Sequence, residues 1–331
     1  MEPNSVGLYH RITVSTMAQP TAEIGPRGRP IMIVGISRRS GTNYLASVLL
    51  CHRDCGAPSP PVLEDHLLRD AQLLERYAQR AARRWPRRWG ARDDASAALA
   101  AALGSGLLSF LRDRSDAARP VSRTPRAQNL RLARTFYRDA DILLLVRDGR
   151  SVAASLSHAW HWTHDRSVKE WRRGAREILQ FTATATGDVD GPRCLVVRYE
   201  DLVSDFEATV ARVLEFAHLD PDGFDEVKAA DLPVLGSSFL RDRDGPVTWD
   251  PIPRPADFQP NDRFRNWSRW KRQRFHWLAG EQQRALGYPT DVPRGSGRVF
   301  WIANVLRDGG SLLGGWFIVR LNLARKRSRD A

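Results

Sequence analysis

The sequence predicts an α/β fold of three layers, in which a central, mostly parallel β-sheet lies between two layers of helices. Three apolar runs support this prediction, at residues 31–34, 141–146 and 194–197. Each run lacks the polar alternation of a half-exposed strand and is followed by an apolar pattern with helical spacing, as in parallel strands covered on both faces. Because such sheets bind ligands at the carboxyl ends of their strands, we expect the functional site there.

The size and charge of the chain say less about its function than about its fold. The chain of 331 residues can bury the core of one large domain. Lys and Arg number 51 against 38 Asp and Glu, a formal net charge of +13. This excess suits nucleic acid, an anionic membrane or a ligand with several phosphates, but a solvated basic surface explains it more simply. The charge alone names no partner.

We divide the chain into three parts. Residues 1–28 are turn-rich and predict a flexible N-terminal extension, within which Met17 is an alternative start. Residues 29–290 form the predicted domain, and residues 291–331 form an apolar and basic C-terminal extension. The chain has three cysteines, too few for a disulfide framework, and no secretory signal is visible, so we expect a cytoplasmic protein.

The pattern also predicts helices outside the three strand-to-helix turns. Residues 66–112 predict two or three helices, with a break at residues 85–90 around Pro86. After the third strand, Ser204 and Glu207 have the spacing of a capping box, which predicts a helix beginning at Ser204.

The first apolar run leads into a predicted anion-binding loop. Gly35 and Thr42 keep the outer spacing of a Walker A loop, but Ser40 and Gly41 stand where its Gly-Lys pair belongs. A loop of this kind at a helix N-terminus still favours an anion. Without the lysine, ATP hydrolysis is not expected.

The second apolar run leads into a second candidate anion site. Arg147-Asp148-Gly149-Arg150 follows the strand, and Ser155 lies one helical turn beyond Ser151. Taken alone, this segment is equally an ordinary strand-to-helix turn capped by Asp148.

Together the two segments resemble sulfotransferases that use 3′-phosphoadenosine 5′-phosphosulfate (PAPS). Arg39-Ser40-Gly41-Thr42 resembles their 5′-phosphosulfate loop, and Arg147 and Ser155 resemble the arginine and serine of their 3′-phosphate site. Two sites suit a nucleotide with phosphate at both ends of an adenosine. The resemblance implies PAPS as donor, 3′-phosphoadenosine 5′-phosphate (PAP) as product, a P-loop-like fold and no metal.

Further segments extend the resemblance over about residues 30 to 290. Ser122-Arg123-Thr124-Pro125 is similar to the family's Lys-Thr-Pro motif, with Arg123 where lysine is commoner. The segment Tyr199-Glu200-Asp201-Leu202 is similar to its Tyr-Glu-Asp-Leu motif, which implies Tyr199 near the adenine. Residues 263–267 resemble its C-terminal Arg/Trp loop, which implies nucleotide contacts by Arg265 and Trp267.

Sulfuryl transfer requires in-line geometry, cations on the developing charge and a base for the incoming hydroxyl. We assign Arg39 to the leaving bridge oxygen and Arg123 to the sulfuryl oxygens. The predicted nucleotide-binding residues are Arg39, Ser40, Gly41, Thr42, Asn43, Arg147, Ser155, Tyr199, Arg265 and Trp267.

Glu64 is the predicted general base. Sulfotransferases with this loop often carry a glutamate about two dozen residues after it, and Glu64 lies at that distance. A helix-capping role for Glu64 or Asp65 is equally compatible with the sequence. His66 remains an alternative base.

Nearby histidines favour packing over metal binding. His158, His161 and His164 recur every three residues, but no carboxylate accompanies them at ligand spacing. They predict a wall of the acceptor pocket or simple packing. Trp249 and Trp267 are predicted core or lid residues.

Two other functions are compatible with parts of the sequence. One is a P-loop-type kinase, which the missing lysine disfavours, and the other is a basic nucleic-acid-binding protein. We expect no nucleic acid, because the informative arginines lie at strand ends rather than among exposed aromatic residues. The predicted acceptor is a hydroxyl-bearing small molecule, glycan or lipid. The sequence leaves a homodimer open.

The C-terminal extension supports two interpretations. Apolar segments at residues 299–302 and 316–319 are interrupted by Arg307 and Asp308 and followed by a basic cluster at residues 325–329. This pattern predicts either a helical hairpin packed on the domain or on a second subunit, or an interfacial anchor on the inner membrane face.

Overall fold

In the computed structural model, five strands of the described part of the chain form one parallel sheet. The strands are β1 (Ile31–Gly35), β2 (Cys55–Gly56), β3 (Arg119–Thr124), β4 (Asp141–Val146) and β5 (Arg193–Arg198), in the spatial order β2-β3-β1-β4-β5. The structure describes residues 28–59, 64–86, 88, 91–185, 192–236, 250–255, 260–290 and 297–309.

Helices cover both faces of this sheet. They are α1 (Thr42–Leu49), α2 (Leu67–Ala82), α3 (Arg92–Arg112), α4 (Ala133–Phe136), α5 (Gly149–Trp160), α6 (His164–Ala185), α7 (Tyr199–Ser204), α8 (Phe206–Phe216), α9 (Glu226–Ala230), α10 (Arg269–Ala285) and α11 (297–309). The predicted break in residues 66–112 separates α2 from α3.

The three-layer fold predicted from the apolar runs is confirmed. Along β1, Met32 and Val34 pack into one buried cluster with α5, α6 and α10, whereas Ile31 and Ile33 pack into another with α1 and α8. β4 divides its side chains between the clusters in the same way. Because both faces of β1 and β4 are buried, these two strands carry apolar residues at nearly every position.

The strands β2 and β3 were not predicted, because neither contains a continuous apolar run. β2 has only two residues, and β3 contains Arg119 and Pro120 among six. The charge of Arg119 is buried because Asp141 on β4 pairs with it, at 2.6 Å between Nη2 and Oδ2. A partner that far along the chain leaves no local signal in the sequence.

The predicted helix start at Ser204 is wrong. Tyr199–Ser204 forms its own short helix, and the Ser204 hydroxyl donates back to the Glu200 carbonyl at 2.9 Å. α8 begins at Phe206, after Asp205. Because Ser204 ends one helix, its side chain does not cap the next.

Helix α3 is long and apolar enough to cross a membrane by length and composition. It nevertheless packs against α2, α4 and β3. Its buried side chains include Leu108 and Leu111, and an added Cβ at Gly104 would lie 2.6 Å from the Phe136 Cα. This packing is that of a domain helix.

A buried arginine on α10 binds two side chains of helix α11, and Trp277 on α10 donates to one of them, Asp308. Arg274 on α10 donates to Asn304 and Asp308, and also to Asp165 on α6. Other α11 residues leave large apolar side chains exposed, namely Val299, Trp301, Ile302, Val305 and Leu306. Residues 291–296 and 310–331, and with them the rest of the predicted hairpin, lie outside the described residues.

Candidate active site

The sheet order places a crevice between β1 and β4. The chain leaves β1 toward β3 on one side, while β4 lies on the other, and such a switch point opens a cleft at the carboxyl ends of the strands. Arg39 follows β1, and Arg147 follows β4. The fold therefore brings the two predicted anion segments to the same edge of the sheet.

The loop between β1 and α1 has a strained backbone. Arg39 has φ 70° and Gly41 has φ 101°, both in the left-handed region. Such a φ is uncommon for a residue with a side chain and typical of functional sites. An added Cβ at Gly41 would lie 2.4 Å from the Tyr199 ring, so glycine is needed there for space as well as for backbone freedom.

Several polar atoms around this loop are buried without a hydrogen-bond partner among the described residues. They are Ser37 Oγ, Ser40 Oγ, Asn43 Oδ1, Arg123 Nε and Arg147 Nε. Buried polar groups are normally hydrogen-bonded, and leaving one unpaired costs about 1–3 kcal/mol. Their concentration around one loop indicates a place for a polar ligand.

A cavity of about 390 Å³ opens beside the loop. Its lining comprises Arg38, Arg39, Gly41, Thr42, Asn43, Tyr44, Glu64, Pro125, Arg147, Trp160, Tyr199, Pro233, Val234, Leu235, Arg254 and Arg263. Five of these residues are arginines, and Glu64 is the one carboxylate among the described lining residues. The cavity is therefore suited to an anion.

Ser155 joins two of the cavity arginines. Its Oγ accepts from Arg39 Nε at 3.1 Å and from Arg263 Nη1 at 2.9 Å. Arg39 also donates from Nη2 to the Gly236 carbonyl at 2.6 Å. One buried hydroxyl on α5 thus gathers side chains that lie more than 200 residues apart in the sequence.

The arginine cluster is electrostatically unfavourable when no anion is bound. Burial, followed by the charge of Arg147, lowers the pKa of Arg39 to about 10. Burial, then Arg147 and Arg39, lower the pKa of Arg263 to about 9. Since both side chains still carry their charge at neutral pH, a bound anion would relieve the repulsion.

Arg147 connects three parts of the site. It donates from Nη1 to the Arg39 carbonyl at 2.9 Å and from Nη2 to the Pro260 carbonyl at 2.5 Å. Its guanidinium lies over the Tyr199 ring, 4.1 Å from the centroid. Any loss of Arg147 therefore affects the loop backbone as well as the charge of the cavity.

Side chains accept from the first two backbone N–H groups of α5, those of Gly149 and Arg150. Asp148 caps the helix by accepting from Arg150 N at 2.8 Å, as the capping interpretation of this segment requires. The Gln283 side chain on α10 accepts from Gly149 N and donates to Asp148. This cap exists alongside the anion-facing side chain of Arg147 rather than instead of it.

The adjacent carboxylates of Glu64 and Asp65 have different surroundings. Asp65 accepts from Leu67 N at 2.9 Å and from the hydroxyls of Ser122 and Thr124, so its carboxylate supports the start of α2 and β3. Glu64 instead lines the cavity, with one oxygen 3.4 Å from His66 Nε2. The structure thus gives the capping role to Asp65 and leaves Glu64 facing the cavity.

Arg123 lies next to this carboxylate. Burial lowers the pKa of Arg123, and the charges of Glu64 and Asp65 oppose that shift. Its carbonyl accepts from Asp65 N at 3.0 Å. The predicted base, Glu64, and the cation predicted for the sulfuryl oxygens, Arg123, are therefore close enough for their charges to interact.

Two predicted nucleotide contacts lie away from the cavity. Arg265 is exposed and pairs with Asp262 at 2.7 Å, and Trp267 packs against His164 with ring centroids 4.7 Å apart. Arg263, two residues before Arg265, reaches the cavity instead. The two arginines alternate along this segment, and no local pattern distinguishes the one that reaches the cavity from the one that does not.

The other predicted residues fall as follows. Gly41, Thr42, Asn43 and Tyr199 line the cavity, whereas Trp249 lies outside the described residues. The described part of the chain has no cluster of three or more His, Cys, Asp or Glu side chains suited to a metal ion. Sequence reasoning chose Arg39 over the adjacent Arg38 as the cation of the loop, and it gave Trp160 only a place beside the histidines. It missed Arg254, which lies in no recognised motif.

The fold and the cavity define a P-loop-like α/β protein with a strongly basic cavity at the carboxyl ends of its strands. Residues 30–223 match the model of the sulfotransferase family. The match covers more than half of the chain, which belongs to the sulfotransferase family and is a transferase of sulfuryl groups.

Solved structures resemble the chain at low identity. The sulfotransferase domain of the Synechococcus PCC 7002 olefin synthase is 20% identical over 80% of this chain and 96% of that one, with a TM-score of 0.49. Mouse sulfotransferase SULT7A1 complexed with PAP is 14% identical over 86% and 90%, with a TM-score of 0.41. Sulfotransferase STF9 from Mycobacterium avium is 12% identical over 62% and 67%, with a TM-score of 0.38.

All three TM-scores lie below 0.5, so the family assignment rests on the family model alone. A search of curated proteins finds no match.

Proposed function

We propose that the protein transfers a sulfuryl group from PAPS to a hydroxyl acceptor, with Glu64 as general base. The arginine cluster around Ser155 carries this proposal. It combines desolvated positive charge with unpaired polar atoms on the adjacent loop, which is what a nucleotide with two separated anionic phosphate groups requires.

The β1–α1 loop would hold the 5′ end of the nucleotide. The buried Ser40 hydroxyl has no partner among the described residues, and α1 begins at Thr42 with its N-terminus toward the loop. Backbone N–H groups at a helix N-terminus favour phosphate. Arg39 would stabilise charge that develops on the leaving bridge oxygen.

Ser155 and Arg147 would hold the 3′-phosphate, with Arg263 as an additional cation. Arg39 and Arg263 meet at the Ser155 hydroxyl, and Arg147 lies within the same lining. Tyr199, under the Arg147 guanidinium, would face the adenine. These arginines supply the positive charge that Mg²⁺ supplies in kinases.

Glu64 would take the proton of the acceptor hydroxyl. It is the carboxylate that lines the cavity, while the adjacent Asp65 is engaged by two hydroxyls and a backbone N–H. A base must reach the reacting proton within about 3 Å, so a carboxylate free to face the cavity is the better candidate.

Calorimetric titration with PAP, AMP and ATP–Mg²⁺ tests the donor. We expect PAP to bind at least about tenfold more tightly than AMP, because only PAP carries a 3′-phosphate. Ser155→Ala should reduce that preference and leave AMP affinity unchanged. Equal affinity for PAP and AMP, or tighter binding of ATP–Mg²⁺ with phosphoryl transfer, would contradict the proposal.

A further inference from the structure

A second cavity of about 740 Å³ lies beside the 390 Å³ cavity of the β1–α1 loop, which we call the nucleotide cavity. We call the second cavity the basic groove; it is bounded by α6, by Arg307 on α11 and by Arg38 of the phosphate loop. Its lining includes seven Lys or Arg residues and three Asp or Glu residues. The groove is therefore positively charged overall.

The carboxylates of the basic groove are already paired. Glu170 accepts from Arg126 at 2.7 Å, and Asp165 and Asp308 both bind the buried Arg274. Within the described part of the chain, no carboxylate lies in ion-pair distance of Arg38, Arg166 or Lys169. The net charge of the groove thus resides on specific side chains.

Two tryptophans connect the groove with the nucleotide cavity. Trp160 lines the nucleotide cavity, Trp162 lines the groove, and their rings are 5.5 Å apart. Arg38 lies over Trp160 at 5.8 Å and lines both cavities, while Arg166 lies over Trp162 at 4.0 Å. Stacking on a ring holds an arginine in place without neutralising its charge.

From this arrangement we infer that the basic groove binds a negatively charged group of the acceptor, on the far side of the Trp160–Trp162 pair from the reacting hydroxyl. The inference rests on the proposed function, because that function places the hydroxyl in the cavity of Glu64. A neutral acceptor would leave the cations of the groove without a counter-charge. The acceptor class is therefore a hydroxyl compound that also carries a carboxylate, sulfate or phosphate.

The test compares two variants that lose the same charge. The groove variant is Arg166→Gln with Lys169→Gln, and the control is Arg80→Gln with Arg212→Gln, which changes exposed arginines on α2 and α8. Each protein is titrated with trigalacturonate, glucose 6-phosphate and a sulfated disaccharide from heparin, with maltotriose as the uncharged comparison. The three anionic probes distinguish carboxylate, phosphate and sulfate.

With PAP present, we expect at least one anionic probe to bind the wild-type protein about tenfold more tightly than maltotriose at low salt. The groove variant should lose most of this preference, and the control should keep it. No anionic preference in the wild-type protein, or equal losses in both variants, would overturn the inference. The titrations are repeated without PAP, so that a failure of PAP binding counts against the proposed function alone.

Discussion

Arg39 combines a strained backbone conformation with a buried positive charge. Its left-handed backbone is held by hydrogen bonds from its own side chain to Ser155 and Gly236, and by the donation of Arg147 to its carbonyl. A conformation of this kind costs on the order of 1–3 kcal/mol and persists only where its surroundings determine it. The surroundings here are the other members of the proposed phosphate site.

Arg39→Ala and Arg147→Ala should fail in different ways. Arg39 would act on charge that develops during transfer, so its loss should lower kcat by about a hundredfold or more. Arg147 anchors the loop and would anchor the nucleotide, so its loss should chiefly weaken PAP binding. Steady-state kinetics and PAP titration of both variants measure this difference. Unchanged PAP affinity in Arg147→Ala would contradict its assignment.

Glu64→Gln should keep the fold and the affinity for PAP while removing most turnover. Glutamine preserves the shape of glutamate but accepts no proton, and the supporting contacts of α2 belong to Asp65. Single-turnover kinetics of Glu64→Gln and of His66→Ala, the variant of the alternative base, test this assignment. An active Glu64→Gln together with an inactive His66→Ala would transfer the role of base to His66.

At the level of residues, the sequence predicted what local chemistry can encode. Arg39, Arg147 and Tyr199 lie in or beside recognisable motifs, and all three line the cavity. The position of Arg263 depends on how the segment from Pro260 folds back against α5, a long-range event. For that reason the sequence could not distinguish Arg263 from Arg265.

Within the helices, two glycines of α3 give a paired prediction. An added Cβ at Gly104 would meet the Phe136 backbone at 2.6 Å, whereas one at Gly106 would meet nothing within 4 Å. Gly106→Ala should therefore raise the free energy of unfolding by up to about 1 kcal/mol, the gain in helix propensity. Gly104→Ala should lower it by about 1–3 kcal/mol through overpacking. Urea unfolding of both variants measures the two signs, and the same sign in both would contradict the packing described for α3.

The exposed face of α11 tests the interfacial interpretation of the C-terminal extension. Val299 and Leu306 are 72% and 70% exposed, and Trp301 lies between them in the sequence. We expect the full chain to co-sediment with anionic vesicles at low salt, and Trp301→Ser with Leu306→Ser to reduce that binding. A chain that stays in the supernatant would leave α11 with a packing role alone.

Point substitutions suit this experiment better than truncation at Pro289. Arg274 is buried and binds Asn304 and Asp308, so removing α11 would also remove partners of a buried charge. A truncated chain could therefore fail to bind vesicles because its fold is weakened.

The secondary-structure elements were predicted well where the apolar runs are long. They were predicted poorly where an element depends on contacts with distant residues. β1, β4 and β5 were recognised from apolar runs. β1 and β4 are buried on both faces and therefore leave a continuous signal, whereas β5 is an edge strand whose run is apolar although Val196 is exposed. β3 was missed because its polar residues face partners on other elements. The false start at Ser204 arose because a capping pattern does not reveal that a preceding short helix already uses the serine.

Across the whole molecule, one buried ion pair holds the amino ends of the sheet strands together. Arg119 on β3 and Asp141 on β4 are 1% and 0% exposed at their side chains, with β1 between the two strands. Arg119 also donates to the carbonyls of Arg29 and Ala217. The pair therefore joins both sides of the central strand and the end of α8.

Asp141→Asn should lower the free energy of unfolding by about 3–5 kcal/mol, because it leaves the Arg119 charge buried without a counter-charge. The control is Asp262→Asn, which breaks the exposed pair with Arg265 and should cost less than about 1 kcal/mol. Urea unfolding at neutral pH measures both. Similar losses in the two variants would contradict a structural role for the buried pair.

Arg263 lies outside the segment that matches the family model, although its side chain lines the cavity. The family match ends at residue 223, yet Arg263 enters the anion cavity and Gln283 supports the start of α5. A fragment excised at the family boundary, or a gene fusion made there, would retain the family match while losing part of the proposed nucleotide site. Inheritance of the matching segment alone is therefore an insufficient guide to which relatives can perform the same chemistry.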